Sequence, residues 1–415
     1  MAYFRTSSIT TTSALSTFTN YNKHRIKLRQ KSRISHFYYS SYFGRRNESM
    51  HTSLHSKRNE STMSTSQIIG QESLGQMEQI ANFFVSNPTI PKPKLLQSNK
   101  EVAEYIDENF DSILFDCDGV LYRGQDIIPN APNALQSLMD NGKKVFFVTN
   151  NAASNRKQLR DKLAKMMSCP TLKEEQMIGS AYSASRYLLR ELIVKKSERK
   201  TKSPYIHVIG TEGLCEEIRS AGFCVSGGPG TDPVEKEYSS TVMDRPDLEK
   251  YKFPEVTGFG IEAVVIGLDT AFNYRKLCIA VGLLQRYPDA LLIATNKDSY
   301  DLVGADARHL PGNGALVAAV EVASERKAIV TGKPSPILAD LISEEHGLDP
   351  SRTLMVGDRL DTDIKFGLEG GMKSALVLTG CTSADKLSTI ALSDKTKDEP
   401  MPSVVFPHMG FMTLP

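Results

Sequence analysis

Asp116 and Asp118 flank a single cysteine in Ser-Ile-Leu-Phe-Asp-Cys-Asp-Gly-Val-Leu-Tyr, the stretch Ser112–Tyr122. Residues two apart in an extended segment point the same way, so both carboxylates can face one pocket. Like charges that close resist joint ionisation, and the pair needs either a cation or one raised pKa. Both outcomes serve phosphoryl chemistry: a metal-supported carboxylate can attack, and a protonated neighbour can supply a proton. Asp-x-Asp-Gly is also a plain turn former, and a calcium loop is a third reading. That loop wants glycine at its sixth position and glutamate at its twelfth. Counted from Asp116 these are Leu121 and Ile127, which excludes an EF-hand.

Three further stretches carry polar groups of a suitable kind. Thr149, Asn150 and Asn151 offer a hydroxyl and two amides just before a helix start at Ser154; such groups can hold phosphate oxygens or cap the helix. Lys333 stands in Thr-Gly-Lys-Pro, where a Walker loop would require glycine at position 327 and the chain has Lys327. A lone lysine in a turn is ordinarily a solvated charge, yet at a strand end its ammonium can neutralise a phosphate and stabilise adjacent carboxylates. Asp358, Asp361 and Asp363 follow the apolar run Thr353–Val356. They fit a helix start, which favours negative charge, or an oxygen-rich Mg²⁺ site. The turn-rich stretch Thr295–Gly314, with Asp298 and Asp301, is a candidate substrate-recognition loop, while Gly312 and Gly314 read as a tight turn and a helix start.

Each of these groups sits at the C-terminal end of a short apolar run. Ile113–Phe115, Lys144–Thr149, Ala328–Val330 and Thr353–Val356 read as buried strands, because they are brief, branched or aromatic, and ended by turn formers. Helical patterns between them make the sheet parallel and put its ligands at the strand ends. Ser374–Leu378 is expected as the last strand. A second α/β pattern interrupts this sheet beyond a charged connector, Lys195–Ser203. It has strands at Tyr205–Ile209, near Phe223, at Ala263–Gly267 and at Leu291–Ala294, with helices Glu212–Ala221 and Asn273–Arg286 between them. The expected fold is α/β: a Rossmann-like parallel-sheet core, residues 97–180 and 327–405, with a large inserted α/β cap, residues 181–326. A cap over strand ends is placed to exclude water and select substrates.

At 415 residues, 40% hydrophobic and 24% charged, the chain has the make-up of a globular protein with room for two domains and an extension. A net charge of +2, with much of the positive charge near the N-terminus, argues against a nucleic-acid binder. No apolar run reaches the roughly 18 residues of a membrane span. Six cysteines show neither paired spacing nor Cys-x-x-Cys, which implies free thiols in a reducing compartment. The scattered histidines do not resemble a zinc site.

Met1 to about Ile90 differs from the rest: rich in Ser and Thr, basic from Lys23 to Arg33, and without an acid before Glu48. Residues 1–90 read as a disordered N-terminal extension of the organelle transit type, chloroplast or mitochondrion, since they lack the apolar core of a secretory signal. The mature chain is then expected to begin between Tyr39 and Gly75. An unstructured tail fits the same composition and would leave the protein in the cytoplasm, and Met50, Met63 and Met77 could each start a shorter chain.

Taken in order at strand ends, Asp-Cys-Asp-Gly-Val from Asp116, Val-Thr-Asn-Asn from Val148, Gly-Lys-Pro from Gly332 and Val-Gly-Asp-Arg-Leu-Asp-Thr-Asp from Val356 resemble the haloacid dehalogenase superfamily. More narrowly, Gln97 to about Leu387 resembles the eukaryotic phosphoglycolate phosphatase and 4-nitrophenylphosphatase family, including Val208-Ile209-Gly210 and Gly213-Leu214 in the insert. The N-terminal extension is outside the resemblance. What it implies is an Mg²⁺-dependent phosphoric monoester hydrolase acting on a small phosphate ester. Asp116 would be the nucleophile that takes the phosphoryl group, and Asp118 the general acid and then base. Thr149 and Asn150, with Asn151 nearby, would bind the transferring oxygens, and Lys333 would offset their charge. Asp116, the backbone carbonyl of Asp118 and Asp358 would ligate Mg²⁺, while Asp363 would position metal-bound water or Lys333. A homodimer joined through the cap is also implied, with no membrane or nucleic-acid partner. Tyr122 stands where the family often has tryptophan. Asp301 lies near where the related pyridoxal phosphate phosphatases present a histidine, which argues against pyridoxal phosphate. That leaves 2-phosphoglycolate first, with glycerol phosphate and other small esters, including 4-nitrophenyl phosphate, behind it. A phosphotransferase using the same aspartyl phosphate is the competing class, disfavoured by an insert that limits access to a second acceptor.

Overall fold

Short apolar runs bounded by turn formers become the strands of two separate parallel sheets. The computed structural model describes residues 63–194, 204–229, 260–303, 308–393 and 400–415. The first 62 residues of the extension expected over 1–90, the connector Lys195–Ser203 and most of the irregular stretch before Ala263 lie outside the described residues.

The chain begins with α1 (Thr65–Ser86), β1 (Lys94–Leu95) and α2 (Asn99–Asn109). Ser64 and Ser98 start the two helices with reciprocal capping boxes to Gln67 and Glu101, which satisfy backbone donors that a helix start leaves open. Next come β2 (Ser112–Phe115), a small hairpin of β3 (Tyr122–Arg123) and β4 (Asp126–Ile127), α3 (Ala131–Asp140) and β5 (Lys144–Thr149). They are followed by α4 (Arg156–Met166), β6 (Met177–Gly179) and α5 (Ser180–Leu188). The inserted part holds β7 (Tyr205–Ile209), α6 (Glu212–Ser220), β8 (Cys224–Gly227), β9 (Ile261–Ile266), α7 (Tyr274–Arg286) and β10 (Leu291–Ala294). A hairpin of β11 (Tyr300–Val303) and β12 (Arg308–Pro311), then α8 (Asn313–Ser324) and β13 (Ile329–Val330), close it. The remainder is α9 (Pro336–His346), β14 (Thr353–Gly357), a π-helical turn Leu360–Ile364 running into α10 (Lys365–Glu369), β15 (Lys373–Val377), α11 (Ala384–Ala391) and β16 (Val404–Phe406).

One sheet runs β1-β16-β15-β14-β2-β5-β6 and the other β13-β10-β9-β7-β8, parallel throughout. Buried on both faces, their strands are nearly continuous in apolar residues. Phe115 and Phe147 stack from neighbouring strands with centroids 6.4 Å apart, and truncating a ring buried to this degree costs about 3–5 kcal/mol.

Four expectations need correction. Residues 65–86 are not part of a disordered extension: Ile69, Met77, Ile80 and Phe84 of α1 are buried against the rest of the fold, an apolar stripe that the Ser/Thr bias of the leader obscures. Ile329–Val330 pairs with β10, so the second sheet extends past residue 326 and the chain rejoins the first sheet only after Val330. Ser374–Leu378 does not end the first sheet, because β16 pairs beyond it and carries β1. The stretch Thr295–Gly314 is not irregular throughout, since its middle folds back as β11 and β12. All six cysteines are free, as their spacing implies. Among the described residues no helix is long and apolar enough to cross a membrane.

Candidate active site

β2 lies between β14 and β5, where strand order runs outward in both directions and open α/β sheets take their ligands. The N–H of Asp116 donates to the Val356 carbonyl at 2.9 Å, which fixes that residue against β14. Lys333 Nζ reaches Asp116 Oδ1 at 2.5 Å and the Val148 carbonyl at 2.8 Å, and pairs with Asp363 Oδ1 at 2.7 Å. The ammonium thus makes two hydrogen bonds and one close ion pair. Asp363 Oδ2 accepts the N–H groups of Asp358 and Arg359, both at 3.1 Å, because the wide turn Leu360–Ile364 swings the carboxylate back over the strand end. Asp358 Oδ2 accepts the Cys381 N–H at 2.6 Å. Gly119 and Gly380 press on this carboxyl, and a Cβ on Gly119 would stand 2.7 Å from Oδ2. Its φ of +81° is a second reason for glycine there.

Acid oxygens of Asp116, Asp358 and Asp363 lie within 4.8 Å of one another. Three carboxylates against one ammonium leave an excess of two negative charges in a dry site, which is costly. Without a cation the cluster answers by holding protons. Burial raises Asp116 well above the usual carboxylate range, opposed by Lys333 and reinforced by Asp363 and Asp358. Burial and then Asp363 push Asp358 up to about 7. Burial also works against the charge on Lys333, but Asp116 and Asp363 outweigh it and the ammonium stays protonated. A divalent cation fits this donor set, since it cancels the excess charge. Asp116 Oδ2 and Asp358 Oδ1 take part in none of the bonds above, whereas both oxygens of Asp363 are engaged. Asp363 therefore acts as the holder of Lys333 and of the Asp358–Arg359 backbone.

Asp118 stands apart from the three clustered acids and is open to solvent on one side. Burial of the rest raises its pKa; Lys162 and the Gly124 N–H that its carboxylate accepts oppose the shift, and Asp301 adds to it. A carboxyl whose proton is held more tightly than usual, beside a fixed carboxylate, can serve as a general acid.

Two residues expected to hold phosphate are engaged elsewhere. Asn150 Nδ2 donates to Asp298 Oδ1 at 3.0 Å and to the Lys333 carbonyl at 3.1 Å, and its Oδ1 accepts the Lys333 N–H at 2.9 Å. Its amide clamps the Lys333 turn and is not presented to a ligand. Asn151 is exposed, and its Oδ1 accepts the Ala153 N–H at 2.7 Å, the local turn bond that competes with any ligand role. Thr149 remains at the strand end, 9% exposed. Its Oγ1 accepts the Asn151 N–H at 3.2 Å, a bond that leaves its own proton to donate.

A family model for haloacid dehalogenase-like hydrolases matches residues 113–224, and a second haloacid dehalogenase-like model matches 330–404. Chronophin of Mus musculus is 40% identical over 274 residues, 66% of this chain and 82% of that protein. Phosphoglycolate phosphatase 2 of Arabidopsis thaliana is 36% identical over 295 residues, 71% of this chain and 91% of its own length. A magnesium-bound crystal structure of glycerol phosphate phosphatase from Mycobacterium tuberculosis superposes with a TM-score of 0.56 at 26% identity, covering 74% of this chain and 77% of that one. The chain belongs to the haloacid dehalogenase-like hydrolases. Within that superfamily it is a phosphoric monoester hydrolase of the phosphoglycolate phosphatase and 4-nitrophenylphosphatase family.

Several residues of this haloacid dehalogenase-like site carry little or no signal in the sequence. Arg359 Nη1 donates to the Tyr300 carbonyl at 3.1 Å and Nη2 to Asp361 Oδ2 at 3.1 Å, tying the β11–β12 hairpin to the residue after Asp358. Asp361 thereby serves Arg359 and not the acid cluster. Tyr300 stacks on His309 across the hairpin at 3.7 Å. Lys162 donates to the Tyr122 hydroxyl at 2.9 Å from a helix whose pattern is plain but whose partner is not. Adjacency to Asp358 is the one hint for Arg359, and only folding brings Lys162 near Asp118.

Proposed function

We propose that this phosphatase hydrolyses 2-phosphoglycolate to glycolate and phosphate, with Mg²⁺ as cofactor, through an aspartyl phosphate on Asp116. The observation that carries the reading is the Asp116 carboxylate, buried, with one oxygen fixed on Lys333 and the other outside every bond of the cluster. In the proposed course that second oxygen attacks phosphorus, and the ester oxygen leaves with the proton of Asp118. Asp118, now ionised, takes a proton from water as the water attacks phosphorus, which frees phosphate and restores the Asp116 carboxylate. Thr149 donates its hydroxyl to a phosphoryl oxygen. Lys333 aims Asp116 and, together with the cation, would keep it ionised, and Asp363 keeps Lys333 in place. Mg²⁺, held by Asp116, Asp358 and the Asp118 carbonyl, would supply the charge neutralisation on which phosphoryl transfer depends.

Two observations support phosphoglycolate. The Arabidopsis relative of that name is matched over 91% of its length. Beside Asp118 the Lys162 ammonium acts more strongly than Asp301, a cation available to a leaving group with its own carboxylate. Glycerol phosphate is the second reading, favoured by Asp301, whose charge prefers hydroxyls to another carboxylate. Comparing kcat/KM for the two esters and for pyridoxal phosphate, with and without Mg²⁺, tests both. Phosphoglycolate is expected to lead, and Lys162→Gln to lower its kcat/KM more than that of glycerol phosphate; the reverse order would move the assignment to the second reading. A homodimer through the inserted sheet and an organelle address in the Ser/Thr-rich leader belong to the same reading. Light scattering and imaging of a tagged full chain test these.

A further inference from the structure

Helix α1 has no part in the chemistry above and precedes the matched family regions, which begin at residue 113. Its buried positions Ile69, Ser73, Met77, Ile80 and Phe84 recur every three or four residues along one face. They divide between two sides of the site. Ile69 packs in the cluster with Val120 and Leu121, just after the Asp118–Gly119 turn. Met77, Ile80 and Phe84 pack with Leu360, Ile364 and Leu378, which bracket Asp363 and begin the loop after β15. Gln76, beside that stripe, reaches both ends of this loop: Nε2 donates to the Leu378 carbonyl at 3.2 Å and Oε1 accepts the Ala384 N–H at 3.0 Å. Between those two points the loop attends to the site. Thr379 Oγ1 donates to the Gly119 carbonyl at 2.5 Å. Thr382 N–H donates to the Asp358 carbonyl at 3.1 Å, and Cys381 N–H to Asp358 Oδ2 at 2.6 Å.

We propose that α1 is a working part of the enzyme and that Gln76 is a positioning residue, which sets the Leu378–Ala384 loop and, through it, aims the Asp358 carboxylate for divalent-cation binding. A ligand whose second oxygen is held by a fixed donor loses less freedom when it binds a cation, which is why such outer partners matter. The other α1 tie, Glu72 to Arg123 at 3.7 Å with both side chains half exposed, adds little. Any mature N-terminus must then lie before Ser64, whose side chain caps α1, a narrower window than one reaching to Gly75.

The role rests on Asp358 being a cation ligand, so the test has an arm that needs no metal. In the metal-free full chain, Gln76→Ala is expected to speed amide exchange at Cys381 and Thr382 about tenfold. It should weaken Mg²⁺ binding, measured by titration calorimetry, by about tenfold, the low end for partners of metal ligands. Gln76→Glu keeps the acceptor for Ala384 and loses the donor to Leu378, so it should fall between. Gln79→Ala, exposed on the same helix, should match the parent in both readouts. Parental exchange in Gln76→Ala, unchanged Mg²⁺ affinity, or equal losses in Gln79→Ala would overturn the role. A parent chain that binds no Mg²⁺ would overturn the cation reading and this role together.

Discussion

The two parallel sheets share a construction and differ in what they bury at their C-terminal ends. The seven-stranded sheet ends in Asp116 and Asp358, with Asp363 one turn beyond, all acids and almost wholly enclosed. At the ends of the five-stranded sheet most buried polar groups are neutral, Thr295, Asn296, Asn313 and Thr331, none more than 5% exposed, and the buried acid after β9, Asp269, is paired with Lys276 at 2.7 Å. Asn313 Nδ2 donates to the carbonyls of Ile266 and Asn296 at 3.2 and 2.9 Å, and Asn296 Nδ2 to that of Asn150 at 2.7 Å. Buried amides are inexpensive once paired, whereas buried charge needs an opposite charge or a cation. The second sheet thus forms a charge-balanced frame that delivers one unmatched charge, Lys333, to the acids of the first. Topology is common to both, and the chemistry lies in what the strand ends carry.

The sharpest way to break this contrast is at the acids. Asp116→Asn retains an acceptor for Lys333, so the protein should stay folded while kcat falls by about 10⁴-fold or more, the scale seen when a nucleophile is removed; steady-state assays with a folded variant decide it. Lys333→Met should next destabilise the chain by about 3–5 kcal/mol, since it strands buried carboxylates, and urea unfolding reads this directly. Asn296→Ala removes a neutral member of the frame and should cost only about 1–3 kcal/mol. A loss as large as that of Lys333→Met would erase the distinction between the sheets.

The smallest effect is the part of the pH dependence that Asp358 sets. Without metal the folded pKa of Asp358 is about 7, above its unfolded value of about 3.9. The folded state then holds the extra proton, so this contribution to stability is full below the unfolded value and is lost as pH rises through about 7. Buried His207 and His408, both pushed down to about 4, gain stability over the same range, so the comparison is with Asp358→Asn: from pH 5 to pH 8 the chelated parent should lose more melting temperature than the chelated variant. Mg²⁺ should raise the parent's melting temperature more at pH 8, because binding needs the ionised acid. The same change with pH in both proteins, with equal gains from Mg²⁺ at the two pH values, would contradict it.

Strands with sharp apolar edges are legible to the residue. Lys144–Thr149, Tyr205–Ile209 and Leu291–Ala294 are strands over just those spans. What an apolar run does not state is its sheet, which is why Ile329–Val330 reads as core and pairs with β10. β16 is three residues long and owes its place to β15 and β1, neither of which is near in sequence. The acids and Lys333 are legible as types at strand ends. The amides are not, because Asn150 and Asn151 are the same residue with opposite fates, decided by whether a partner such as Asp298 folds onto them.

Trapping the intermediate with borohydride during turnover tests the central claim most directly. Reduction of an aspartyl phosphate leaves homoserine at the modified position, which peptide mass spectrometry locates. Homoserine at position 116, dependent on substrate and absent without it, is the expected result. Continued turnover with Asp116 unmodified, or reduction at Asp118 or Asp358 instead, would contradict it.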